Sequence, residues 1–547
     1  MTNRAFAPAG LAVIVLLTVG LSVLDAREDS VTADEPVHVA AGLAQAVSGG
    51  WSLNLEHPPL AKELFGRAAR AAGARDGPIS FRSFFRSCQD VLFRNPGGVP
   101  GERILGAARA VTIAFFALLL VASSIAAGGG RAGLFAGALV AGQAAFFPHG
   151  HLVTTDVPVA ALGVAAVAAT LGVAERPTAG RAGLATLTLS LAALTKFTGL
   201  LLFPVSALIL LVHAASADAM RRRLAALGLA IPVAAALLTL VLLRLWTPRS
   251  APENLTLLTG IYRLSAADRN RIAAIGTVDP GAARYATGLL VNLRQAAAGR
   301  RTYFLGKVTD RAPAIYHAVA LGVTAPLSWL VLVGLGALFA LRRDAAPRAR
   351  LLLLAAVTVF VLSLPGPRIG VRHVLLPAAL LSASAASALA GWLPGWRLGA
   401  ALAAALAPLA LGRSIGREGA AAALFPRPAL ADSSLDWGQD LLRLRAALVA
   451  RGLRAEEVAL AYFGGDEPAE RLPGVSDLLR GGLLSGRPYL AVSRQYVLVG
   501  PEAALDPRGI GGAGEAVAAV RTGRARFLFR AGTSIDVFTL PEGPETR

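Results

Sequence analysis

Ala107-Ala-Arg109-Ala-Val-Thr-Ile-Ala-Phe-Phe-Ala-Leu-Leu-Leu-Val-Ala-Ser-Ser-Ile-Ala-Ala127 carries one charge in 21 residues. A helix that crosses the hydrocarbon core of a bilayer needs about 20 mostly apolar residues, and this run supplies them. Outward from it, similar runs occupy 8–24, 132–148, 155–174, 182–195, 197–215, 223–246, 317–341, 350–365, 371–392 and 398–413. The pattern predicts an α-helical polytopic membrane protein with about 11 transmembrane helices. The stretch 182–215 reads either as two short spans or as one long broken one. No small-residue cleavage site precedes Asp25-Ala-Arg-Glu-Asp29, so the first run is read as an anchor and not as a signal peptide.

Composition agrees. Of 547 residues, 55% are hydrophobic and 16% charged, against roughly 45–50% and about 25% in soluble domains. A disordered chain is excluded on the same grounds. The net charge of +19 could suggest nucleic acid, but the basic residues punctuate apolar runs and aromatics make up only 6%, too few for a base-stacking surface. No nucleic-acid partner is expected. Only three of the 53 basic residues are lysines: Lys62, Lys196 and Lys307. The single cysteine, Cys88, excludes an internal disulfide framework and a cysteine zinc site.

Arginine sets the topology. With Arg4 inside, alternate connections hold Arg131, then Arg176 and Arg181, then Arg221-Arg222-Arg223, then Arg342, Arg343, Arg348 and Arg350, and finally Arg397. Those connections are read as cytoplasmic. The long segments 25–106 and 247–316 then lie outside, as does the tail. Residues 1–413 form the expected transmembrane domain, and 414–547 a small extracytoplasmic α/β domain. In that tail, 440–452 reads as an amphipathic helix stopped by Gly452, and Val458–Phe463, Tyr489–Ser493 and Ser534–Leu540 read as strands. The expected location is the inner (plasma) membrane, with the site and the tail outside.

Ionisable residues near a membrane mark function. The first external segment holds Thr32-Ala-Asp34-Glu35-Pro36-Val-His38, then Asn54-Leu-Glu56-His57-Pro-Pro-Leu-Ala-Lys62. Asp34 and His38 share a face of any helix beginning there. Two readings compete for the acids. Thr32-x-x-Glu35 fits a capping box and Glu35-Pro36 fits a helix start; two acids, two histidines and a lysine in one loop also suit general-base or metal-ligand chemistry. For Glu56-His57 the alternative is a solvated loop stiffened by Pro58-Pro59. Asp156, in His149-Gly-His151-Leu-Val-Thr-Thr-Asp156-Val-Pro158, either caps a helix or joins the site. Lys196 either snorkels or joins it, and Arg368, Arg372 and His373 add cationic or titratable groups on the same side. Gly509-x-Gly511-x-x-Gly514 matches a dinucleotide pattern, but Pro507 sits where its strand should be, and no nucleotide cofactor is expected.

Taken in order, these motifs resemble those of lipid-carrier-dependent glycosyltransferases. This multi-span class includes protein O-mannosyltransferases and the aminoarabinose transferases of lipid A (glycosyltransferase family 39-like). The resemblance rests on Asp34-Glu35-Pro36, Asn54-x-Glu56-His57-Pro-Pro-Leu-x-Lys62, Gly150-His-Leu-Val-Thr-Thr-Asp156 and Leu194-Thr-Lys196-Phe197. It continues through Tyr303-Phe-Leu-Gly306, Ile369-Gly-Val-Arg372-His373-x-Leu-x-Pro377 and Asp432-Ser-Ser-x-Asp436-Trp437-Gly-Gln-Asp440-Leu441, nearly the whole chain. One departure is Val323-Thr-Ala-Pro326, where relatives often carry a lysine before Thr-Pro.

The resemblance implies transfer of a sugar from a polyprenyl-phosphate donor to an acceptor hydroxyl on a protein, glycan or lipid, at the outer face of the bilayer. It implies Asp34 as general base, with Glu35 sharing that role or positioning the acceptor. His38, Lys62, Asp156, Lys196, Arg372 and His373 are the implied substrate and phosphate contacts. Glu56 and His57, with Asp156, are the implied ligands of a divalent metal ion. The competing expectations are a lipid-linked sugar flippase or transporter, a lipid-linked polymer ligase or oligosaccharyl transferase, and a silent scaffold.

Overall fold

The computed structural model describes residues 3–51, 53–215, 220–246, 262, 264–299, 301–393, 395–411, 428–500 and 511–541. Within them every apolar run forms helix, since a backbone in lipid can satisfy its polar groups only within its own segment. The chain opens with α1 (Asn3–Glu28) and folds its first polar segment into α2 (Glu35–Ser48), α3 (Pro59–Ala71) and α4 (Phe84–Phe93). There follow α5 (Gly101–Ala127), α6 (Gly130–Ala141), the single turn α7 (Phe146–His149), α8 (Asp156–Glu175), α9 (Ala179–Thr195), α10 (Leu202–Ala215) and α11 (Arg221–Leu243). Further apolar helices cover Leu327–Ala340, Pro347–Ser363, Leu375–Leu389 and Gly395–Leu411.

Six described segments are long and apolar enough to cross a membrane: Ala7–Glu28, Gly101–Ala127, Asp156–Glu175, Phe197–Ala215, Arg221–Trp246 and Val371–Leu389. The chain is a membrane protein. α8 lies in the middle of the bundle, whereas α11 turns Leu229, Val233, Leu237 and Val241, four residues apart, away from the protein. Burying such a side chain is worth about 1.5–3 kcal/mol in water; a lipid environment removes that penalty of exposure.

Three expected runs depart from straight spans. The run 132–148 breaks after Ala141 and resumes as α7. The run 317–341 breaks at Ala325-Pro326, where the residue before proline is extended, with ψ 140°. The stretch 182–215 divides at Lys196, whose φ and ψ of −153° and 146° interrupt the helix. The last residues of the 398–413 run, the expected boundary at 413/414, most of 247–263, and Pro507, Gly509 and Ile510 of the dinucleotide-like pattern lie outside the described residues.

The bundle has two unlike ends. At one, Gly128 (φ 105°) turns α5 into α6, and Arg348 donates to the carbonyls of Ile125 and Ala126 (3.0 and 2.8 Å) while pairing with Glu175 at the end of α8. At the other end, α2 and α3 cross so closely that a Cβ on Gly66 would lie 1.9 Å from the Gly42 carbonyl oxygen. Only glycine permits that approach, and it fixes α2 over the mouth of the bundle.

The polar end is completed by later segments. Helices Ala266–Val278 and Pro280–Ala298 precede a hairpin of β1 (Thr302–Phe304) and β2 (Lys307–Thr309), to which β3 (Leu430–Ala431) adds antiparallel. The tail carries β4 (Val458–Ala461), β5 (Ser476–Asp477), β6 (Tyr489–Ser493), β7 (Arg526–Ala531) and β8 (Ile535–Thr539) in the order β5-β4-β6-β8-β7. β4 runs parallel to β5 and β6, and β8 antiparallel to β6 and β7. The expected amphipathic helix is Leu441–Val449, and the three expected strands are β4, β6 and β8; β5, β7 and the hairpin were not anticipated.

Candidate active site

A cavity of about 530 Å³ opens at this polar end, between the helix termini, the first polar segment, the 262–302 segment and the tail. Asp34 is the N-cap of α2, one residue before the expected cap, and its side chain makes no capping bond. Its carboxylate is therefore available. It accepts from Arg372 Nη1 at 2.8 Å and remains 39% exposed. The backbone beside it is laced to the tail: Ser30 N–H donates to the Gln439 carbonyl (3.0 Å), Ala33 N–H to the Trp437 carbonyl (3.0 Å), and Gly465 N–H to the Val31 carbonyl (2.9 Å). Residues 30–33 thus form a strap that places Asp34 from the tail side.

Arg372 is the hub. Besides Asp34 it faces Asp156 Oδ2 at 3.8 Å, and its guanidinium lies 4.1 Å from the centre of the Trp437 ring. Asp156, the first residue of α8, also pairs with Lys196 at the α9 break. Two cations and two carboxylates here balance. The Nε atoms of Arg372 and His373 Nε2 are buried without a hydrogen-bond partner. That leaves nitrogen atoms at the cavity wall still able to bind an oxyanion.

His38 and His57 line the cavity with ring centroids 4.8 Å apart, and His57 Nδ1 shares a hydrogen bond with Thr155 Oγ1 at 3.0 Å. Burial pushes His38 down to about 4; burial, with His38 and Lys196 nearby, holds His57 well below the usual histidine range. Both rings are neutral at pH 7.

Glu35 and Lys62 do not line the cavity. Glu35 is fully buried. Arg109 donates to both its oxygens (2.8 and 2.7 Å), and the N–H groups of Thr32 and Val153 add bonds of 2.9 and 3.0 Å. Burial pushes this carboxyl up, but Arg109 and the backbone donors outweigh it and hold it below the ordinary value. The capping expectation is met in its Glu35-to-Thr32 half, while Thr32 Oγ1 makes no bond. Lys62 Nζ points back at the Leu53 and Asn54 carbonyls and at the Trp51 ring, 5.5 Å from its centre. It stabilises the turn in which Asn54 adopts a φ of 51°. The structure therefore places Glu35, expected to share catalysis, and Lys62, expected to contact phosphate, outside the cavity lining, each held by protein partners.

Glu56, His57 and Asp156 each have a protein partner and do not converge with one another on a metal site. Glu56 Oε1 accepts from Gln295 at 2.7 Å, His57 is engaged by Thr155, and Asp156 is neutralised by two cations. Among the described residues, no three His, Cys, Asp or Glu side chains converge to hold a metal. Sequence reasoning missed Arg109, although an arginine inside an apolar span was a signal. It also missed Gln295, Phe463 and Gln495, which no local pattern marks.

No protein-family model matches the sequence, and neither does any curated protein. Among solved structures, the chain is similar to the oligosaccharyltransferase of Archaeoglobus fulgidus tethered with an acceptor peptide. Identity is 14% over 99% of this chain and 74% of that one, with a TM-score of 0.49. The same enzyme in complex with Zn and sulfate gives 14%, 97%, 73% and 0.47. ArnT from Cupriavidus metallidurans bound to undecaprenyl phosphate gives 15%, 98%, 100% and 0.31.

Proposed function

We propose that this chain is a membrane glycosyltransferase that moves a sugar from a polyprenyl-phosphate donor to an acceptor hydroxyl, at the external face of the inner membrane. The observation that carries this reading is Asp34. Its half-exposed carboxylate sits 2.8 Å from Arg372, in a cavity at the polar end of an apolar bundle. The ordered motifs that resemble lipid-carrier-dependent glycosyltransferases agree with it.

In this reading Asp34 accepts the proton of the acceptor hydroxyl. The acceptor oxygen bonds to the anomeric carbon as the bond from that carbon to the phosphate oxygen breaks. The electron pair leaves with the phosphate, whose charge is met by Arg372 and Lys196, with the His373 ring beside them. Fixed cations in a low-dielectric cleft are worth far more than in water. His38 and Asp156 border the reacting groups, Asp156 by holding Lys196 and Arg372 in place. The donor is activated by its own phosphate, so no nucleotide is needed. The residues 414–547 act as an external domain that closes the site.

Purified protein in liposomes, given radiolabelled polyprenyl-phosphate sugars, tests this. Label should leave the lipid with wild type and not with Asp34→Asn. Label that crosses the bilayer while staying on the lipid would replace the transferase with a flippase.

A further inference from the structure

Among the tail residues that line the cavity without a part in the steps above are Asp436, Trp437, Phe463 and Gln495. They adjoin the base, because the Trp437 carbonyl accepts the Ala33 N–H at 3.0 Å, one residue before Asp34. Trp437 is held between Arg372 and the His149 ring, whose centroid lies 5.7 Å away. Asp436 accepts from Gly438 N–H (3.1 Å) and Gln495 N–H (3.3 Å). The Phe463 ring stands edge-on to Tyr496, with centroids 6.1 Å apart, and its backbone N–H donates to Ser493 Oγ at 2.9 Å. Gln495 Oε1 is buried and has no hydrogen-bond partner among the described residues. A buried carbonyl in that state is unusual and suits a ligand hydroxyl.

The chemistry of this wall differs from that around Lys196 and Arg372. The tail residues lining the cavity include no lysine or arginine, and they include the carboxyls of Asp432 and Asp436. An anionic acceptor would meet these acids. An aromatic ring, a primary amide and a carboxyl together offer an apolar face and polar atoms, as a saccharide ring requires. Burial pushes the Asp436 carboxyl up to about 7, so near neutrality it can also donate. A peptide could bind by adding a strand, but β4 and β6, which lead into Phe463 and Gln495, are interior strands of their sheet, and the edge strand at the cavity, β3, is only Leu430–Ala431 long.

We propose that this wall is the acceptor subsite and that the acceptor is a hydroxyl of a neutral glycan, docked on Phe463 and Gln495 with its oxygen directed at Asp34. The inference rests on the transferase reading above. The donor's phosphate occupies the cationic wall, and the saccharide occupies the tail wall.

The test uses the full chain in liposomes with radiolabelled polyprenyl-phosphate sugar. The acceptors are neutral gluco-, manno- and galacto-oligosaccharides, a Ser/Thr-containing peptide, or vesicles rich in anionic phospholipid. Label should move to an oligosaccharide. Gln495→Met, which keeps the volume and removes the amide, and Phe463→Leu should each raise the acceptor KM about tenfold, with the donor KM within about twofold. Transfer only to peptide or lipid, or donor and acceptor KM rising together, would overturn the subsite. Label that never leaves the lipid with any acceptor, water included, would instead remove the transferase reading on which it depends.

Discussion

Asp34 and Glu35 are adjacent in the chain, and each pairs with an arginine, yet they belong to different regions. Asp34 meets Arg372 at the edge of an open cavity, with part of its carboxylate uncovered. Glu35 meets Arg109 in a sealed site where four donors fill both oxygens. The first arrangement leaves an acid able to take a proton, and the second locks a strap to a helix. The same residue type and partner yield chemistry or structure according to what else reaches the carboxylate.

The comparison can be broken from either side. Asp34→Asn should lower transfer by about 10²–10⁴-fold, the contribution of a positioned base, with donor binding and thermal midpoint retained; steady-state assays beside a thermal melt check this. Glu35→Gln should do the reverse. Breaking one partner of a buried ion pair costs about 3–5 kcal/mol, so the melting temperature should fall and activity should follow the folded fraction. If Glu35→Gln melts like wild type and loses only turnover, the contrast fails. Arg372→Lys keeps the charge but loses the planar stack on Trp437; it should raise the donor KM about tenfold while leaving the melt little changed.

Acid should separate the two regions more gently. Asp29, between His151 and Arg443, is pushed up by burial, but the His151 hydrogen bond and the nearby cations outweigh this and hold it below the ordinary carboxylate value, as for Glu35. A depressed carboxyl contributes stability that is present above its unfolded value and is lost as pH falls through its folded one. Protection from hydrogen exchange over residues 29–35, relative to the intrinsic rate at each pH, should therefore be high at pH 7 and fall below about pH 4. The smallest effect concerns metal. Because Glu56, His57 and Asp156 do not converge on a metal site among the described residues, a chelator should leave transfer unchanged; inhibition reversed by added divalent ion would restore them as ligands.

The bundle was legible because apolar length is a local signal, and the described part of each run became helix. The breaks at Lys196 and Ala325-Pro326 show where those signals end: a polar or proline residue can divide a run without interrupting its composition. In the site, Asp34, Asp156, Lys196, Arg372 and His373 could be selected because ionisable groups are rare beside a membrane. Glu35 and Lys62 passed the same filter but do not line the cavity, since their partners, Arg109 and the Leu53 and Asn54 carbonyls, are known only after folding. Phe463 and Gln495 carry no local mark at all. Their position depends on a sheet assembled more than 400 residues after Asp34.

The strap has a consequence in time. Val31 N–H is accepted by Asp466, 435 residues later in the chain. At ribosomal rates of about 5–20 residues per second, that partner is synthesised roughly 20–90 s after the strap. Through that interval the first helices can be in the bilayer, among lipid-linked molecules, with Asp34 not yet held and Arg372 still to come. A strap fastened by a segment made more than 400 residues later cannot be closed early, so the polar end takes its final shape only after that segment has folded.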